Sequence, residues 1–195
     1  MNSLKDFIVF VPQRLNDKIV VNGLELYVDP KYDEFSHRKT SGEVVAVPLK
    51  YNTGVKEGDT IYFHHHVVIN GGQKMQYGED LYLVRYSDTR ATENQAIAHK
   101  SKETGEVKPM KGWSLLTPYM EEAPKLSEII ETVELTERPY LNGIVAFDSE
   151  DLQDMGVKKG DIVGFKKNHD YEVDIDGEKY FRVRTEDLLY VKEQV

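Results

Sequence analysis

The chain has 195 residues, no cysteine, and 34 acidic against 25 basic side chains, for a net charge of -9. Such a field repels phosphate backbones and anionic headgroups, so neither nucleic acid nor membrane is an expected partner. Without cysteine there is no disulfide framework and no thiolate metal cluster, which fits a reducing compartment.

The opening MNSLKDFIVFVPQRLNDK lacks the shape of a signal peptide: its apolar run is short and charges follow it. No window approaches the roughly 20 apolar residues of a membrane helix. The expectation is a soluble, cytoplasmic protein (host cytoplasm if viral). Along the chain, FIVFV, EVVAV, DTIYFHHHVVI and DLYLVRY are short, rich in β-branched and aromatic residues, and bounded by Gly, Pro, Asn or Asp, so each reads as a strand. The polar stretch His99 to Gly112 reads as a connector. Beyond it WSLLT, GIVAF, DIVGF, YEVDI and KYFRVR repeat the strand pattern. INGG (Ile69 to Gly72) and IDGE (Ile175 to Glu178) read as hairpin turns, because Asn-Gly and Asp-Gly tolerate positive φ.

The second series copies the first. GEVVAV (Gly42 to Val47) matches NGIVAF (Asn142 to Phe147), and GVKEGDTIYF (Gly54 to Phe63) matches GVKKGDIVGF (Gly156 to Phe165). YGEDLYLVRYSD (Tyr77 to Asp88) matches DGEKYFRVRTED (Asp176 to Asp187), and FIVFVP (Phe7 to Pro12) more weakly matches WSLLTP (Trp113 to Pro118). Four matches in one order indicate a tandem duplication with domains at 1–104 and 105–195. The fold class is all-β, two small barrels or sandwiches. In V-K-x-G-D the Gly turns the chain, the Asp bonds nearby backbone NH groups, and the apolar residues start a strand. The phrase is a turn into a strand, with no chemistry of its own.

The ordered set GEVVAV (NGIVAF in the second copy), GVKxGDxxxF and GExYxxVRxxD (with its Tyr one place later in the first copy) resembles the GroES-like ten-kilodalton co-chaperonin family, in a tandem two-domain form, over nearly the whole chain. The resemblance implies two tandem GroES-like small β-barrels. It implies a cap on a chaperonin (GroEL-like) ring in its nucleotide-bound state, a client protein enclosed for folding, a homo-oligomeric ring, and no bond chemistry. It also implies a mobile loop after the first strand, disordered when free and a hairpin when docked, with a short apolar anchor following Gly. Ordering such a loop costs free energy, and a ring of loops restores avidity. The matching loops span about 17–41 and 121–142. In the first, Gly23, Leu24, Glu25 and Leu26 fit the anchor, although the family has an apolar residue where Glu25 stands; Ile19-Val20-Val21 is the competing tripeptide. In the second, Ile129 and Ile130 are either a second anchor or part of an amphipathic helical face with Leu126 and Val133. Seven chains, or four contributing eight domains, are the ring sizes considered. VPLKYNTG and FDSEDLQDMG are too short for the roof hairpin that some members carry.

Read as part of a strand, His64-His65-His66 offers only His64 and His66 to one face, too few for a zinc site, and His37, His99 and His169 are scattered. No metal and no cofactor are expected. G-x-S-x-G, H-E-x-x-H and P-loop signatures are lacking, and no enzyme activity is expected. The alternative is a duplicated small β-barrel with a structural role, a viral one included, or a nucleic-acid-binding role, which the acidic balance disfavours.

Overall fold

The computed structural model describes residues 2–12, 18–27, 39–69, 73–74, 80–119 and 140–192. The chain divides into two compact units, Met1–Glu106 and Val107–Val195; the sequence places that division at 104. Up to the end of the first unit the strands are β1 (Phe7–Phe10), β2 (Lys18–Val21), β3 (Leu24–Tyr27), β4 (Ser41–Ala46), β5 (Thr60–Phe63), β6 (Gln73–Lys74), β7 (Leu81–Val84) and β8 (Ala96–Lys100). After it come β9 (Val107–Pro109), β10 (Trp113–Pro118), β11 (Tyr140–Val145), β12 (Ile162–Lys166), β13 (Tyr171–Ile175), β14 (Glu178–Arg184) and β15 (Leu188–Lys192). Two short helices are α1 (His66–Ile69) and α2 (Glu150–Asp154). The sheets run β6-β7-β1-β4-β5-β8-β9 and β13-β14-β10-β11-β12-β15, with β2-β3 a separate ribbon. The protein is all-β, two tandem small barrel-like domains.

The repeated phrase makes the same bonds in both units. Asp59 Oδ2 accepts from Lys56 N at 2.8 Å, and Asp161 Oδ2 accepts from Lys158 N at 3.0 Å. Gly58 N donates to Val44 O at 2.8 Å, and Gly160 N to Val145 O at 2.9 Å. Gly58 (φ 87°) and Gly160 (φ 93°) both occupy the left-handed region that a side chain disfavours. Each carboxylate thus closes the turn that starts β5 or β12. The strands that follow deliver apolar residues inward: Ile61 and Phe63 in the first unit, Val163 and Phe165 in the second, are buried. In the second unit Phe165 lies in a core with Leu116, Val145, Leu152, Val157, Val163 and Val183.

The same bonds correct two sequence pairings by one residue. Val44 corresponds to Val145, not Ile144, because each gives its N–H to the turn aspartate's carbonyl (Asp59 or Asp161) and accepts from the turn glycine. Gly42 therefore pairs with Gly143, and the space explains it. A Cβ on Gly42 would lie 2.7 Å from Val11 Cγ2, and one on Gly143 would lie 2.9 Å from Leu116 Cβ. Likewise Val9, opposite Val44, corresponds to Leu116, opposite Val145. The shared letters V-A in GEVVAV and NGIVAF favour the shifted alignment; the backbone bonds, and the close approach of Val11 and Leu116 side chains to the two glycines, decide the true one.

One cross-strand pair is exchanged between the units. Tyr62 stands opposite Ala98, whereas Gly164 stands opposite Tyr190, and both sites adjoin a register shift. A Cβ on Gly164 would lie 2.3 Å from the Tyr190 ring, whose hydroxyl donates to Asn142 Oδ1 at 2.8 Å. Gly164→Ala displaces that ring and lowers stability by about 1–3 kcal/mol. The exchange Gly164→Tyr with Tyr190→Ala rebuilds the first unit's pairing and is milder than Gly164→Tyr alone. Thermal denaturation of the three variants checks this; a double variant no more stable than Gly164→Tyr refutes the equivalence.

One local expectation is corrected, and two other stretches gain detail. The expected strand DTIYFHHHVVI ends at Phe63; Val67 N and Val68 N bond back to His64 O (2.9 Å) and His65 O (3.0 Å) and wind the chain into α1. FDSEDLQDMG holds α2, capped by Ser149, whose Oγ accepts from Leu152 N at 3.3 Å, with Leu152 buried beneath it. The polar connector is a defined turn, with Gly105 N and Glu106 O both bonded to Ser101. IDGE is a two-residue hairpin as read, with Asp176 (φ 58°) and Gly177 (φ 85°) between β13 and β14. Residues 70–72 of INGG lie outside the described residues.

Asp187, just before β15, accepts from Lys166 Nζ at 2.8 Å and meets His169 Nδ1 at 2.8 Å. Burial pushes its carboxyl pKa up, but the bonds from Lys166 and His169 outweigh this and hold it below the ordinary value. A lowered folded value means the contribution is complete above the unfolded pKa, near 3.9, and is lost as pH falls through the folded value. Lys166 is half exposed, so solvent screening keeps the effect small. Asp187→Asn is expected to lower the melting temperature at pH 7, by an amount that shrinks as pH falls below the unfolded value; an equal deficit at pH 7 and at pH 2 contradicts the linkage.

Candidate functional site

The candidate anchor residues fall on a β-hairpin. β2 and β3 pair antiparallel around Asn22 (φ 52°) and Gly23 (φ 81°). Positive φ at both central residues gives the turn whose twist matches that of the flanking strands. A Cβ on Gly23 would meet nothing within 4 Å, so its φ, not space, calls for glycine. Asn22, Gly23 and Leu24 are exposed, Leu24 at 69%.

The register unites the two competing tripeptides. Val21 is opposite Leu24 and Ile19 opposite Leu26, while Val20 faces Glu25 and Lys18 faces Tyr27 across the ribbon. Directly opposed residues share a face, and the face alternates along each strand. Positions 19, 21, 24 and 26, all aliphatic, therefore form one side of the hairpin, and Glu25 belongs to the other. The charged departure at Glu25 leaves the aliphatic side unbroken. Gly23, Leu24, Glu25 and Leu26 are brought together; Ile129 and Ile130 lie outside the described residues. Reading the stretch as loop set Ile19-Val20-Val21 apart as a rival tripeptide and did not foresee its pairing with 24–27. The signal was present: an Asn-Gly dipeptide between apolar runs, the same signal taken as a turn at Asn70-Gly71.

Among the described residues, no helix is long and apolar enough to cross a membrane. The described residues also bring together one group with metal-ligand chemistry, His64, His65 and His66.

Two small antiparallel β domains lie in tandem, and the first carries a separate two-stranded hairpin whose turn residues Asn22, Gly23 and Leu24 are exposed. The family model for the Chaperonin 10 Kd subunit matches residues 106–191. The co-chaperonin GroES of Coprothermobacter proteolyticus is 35% identical over 92 residues, covering 44% of this chain and 94% of that protein. The chain belongs to the GroES-like co-chaperonin family. The family match falls on the second unit, whereas the described hairpin belongs to the first.

Proposed function

We propose that this chain caps an ATP-dependent chaperonin ring of the GroEL type and helps to enclose client proteins for folding. It docks through the hairpin 18–27, whose side formed by Ile19, Val21, Leu24 and Leu26 enters an apolar groove on the chaperonin. The observation that carries the reading is the exposed Asn22-Gly23 hairpin and its aliphatic register, in a chain of this family. A hairpin in a groove needs an apolar face and little else, which is what the register supplies. Ile129-Ile130 of the second unit is a second anchor in this reading. The chain acts in the cytoplasm, assembles as a homo-oligomeric ring, and makes and breaks no bonds.

Modest affinity per hairpin suits a cap that must leave, and several hairpins per ring restore overall binding. The test is gel filtration of the full chain with a bacterial chaperonin. Co-elution is expected with ATP and is lost without nucleotide. Separate elution in both conditions contradicts the proposal, and a salt-sensitive shift of nucleic acid in its place supports the rival role of a nucleic-acid-binding barrel.

A further inference from the structure

We propose that His64, His65 and His66 form a binding site for a divalent transition-metal ion of the zinc class, set in the turn between β5 and α1. On a continuous strand His65 would point away from its neighbours. Here β5 ends at Phe63, and the bonds from Val67 N to His64 O and from Val68 N to His65 O coil the backbone beneath the three rings. The imidazole centroids form a near-equilateral triangle with sides of 4.1, 4.4 and 4.3 Å. One ring nitrogen from each residue lies within 4.8 Å of the others.

Zinc–imidazole bonds of about 2.0–2.1 Å in a tetrahedron place two ligand nitrogens about 3.3 Å apart. Small rotations of the side chains close the remaining gap. The backbone N–H of His66 donates to His64 Nδ1 at 3.2 Å, which sets the His64 ring within the cluster. His64 and His65 are half-buried and His66 is exposed, so the site is open on one side, where water completes the coordination. Three imidazoles with an open position form the donor set that suits zinc, nickel and copper, whereas magnesium and calcium prefer oxygen. The short helix α1 packs on β6 and β7. A bound ion would fix the turn that connects β5 to that packing.

The test is calorimetric titration of Zn²⁺ into the untagged full chain after chelator treatment, at neutral pH, with Mg²⁺ as a control. One zinc per chain is expected, with no response to magnesium. His66→Ala, at an exposed position, weakens zinc binding by about tenfold or more. Replacing all three histidines with asparagine removes it, and His169→Ala, in the other unit, changes nothing. Absence of zinc binding overturns the proposal, as does unchanged binding in a triple variant with the parent's circular dichroism. Should the triple variant not fold, the imidazole resonances of the parent decide: shifts in the three clustered residues support the site, and shifts confined to other histidines overturn it.

Discussion

Replacing Leu24 and Leu26 together with serine is expected to abolish ATP-dependent co-elution with a chaperonin while circular dichroism and native mass stay unchanged. Leu24 is exposed at the end of a ribbon that forms its own two-stranded sheet, so its loss removes nothing from either domain's core. Burying one leucine in a groove contributes about 1.5–3 kcal/mol. Losing two from every hairpin of a ring weakens each contact and compounds through the avidity of the assembly. The register adds a sharper expectation. Ile19→Ser with Val21→Ser fails in the same way, because positions 19 and 21 oppose 26 and 24. Val20→Thr, on the other side of the ribbon, retains co-elution. Equal loss from Val20→Thr, or retention by both double variants, refutes the proposed face.

The second large effect is on stability. Phe165→Ala is expected to destabilise the second unit by about 3–5 kcal/mol, since the ring is fully buried among Leu116, Val145, Leu152 and Val183. A domain of this size holds about 5–15 kcal/mol in total, so the substitution removes a large share. Differential scanning calorimetry should show the melting transition fall by more than about 10 °C. Leu189→Ala, at a half-exposed position on β15, should shift it little. Phe63→Ala, at the corresponding place on β5, is expected to have the same size of effect in the first unit. A Phe165→Ala shift no larger than that of Leu189→Ala contradicts the assigned core.

Much of this was legible in the sequence because it rests on local chemistry. V-K-x-G-D forms its turn from its own Gly and Asp, so GVKKGDIVGF marked β12 and GVKEGDTIYF marked β5 without knowledge of the rest. IDGE marked a hairpin for the same reason. What was not legible depended on partners distant in sequence. The pairing of Gly42 with Gly143 is set by the approach of Val11 and Leu116, which letter similarity cannot see. The histidine run was read as strand because Val67, Val68 and Ile69 extend the β-branched pattern, yet the backbone turns back on itself after Phe63. At the site, the candidate leucines Leu24 and Leu26 come from the resemblance and not from local chemistry. Their cross-strand partners Ile19 and Val21 were set aside as rivals because the stretch was taken as loop, and the Asn22-Gly23 turn makes them one face.

The most direct measurement is single-particle imaging of the full chain mixed with a bacterial chaperonin and a slowly hydrolysed ATP analogue. The account predicts rings closed by a cap of this chain, with density for hairpin 18–27 seated on the chaperonin, and the symmetry will distinguish seven chains from four. Chaperonin rings that stay open under conditions in which the chain is folded would contradict it.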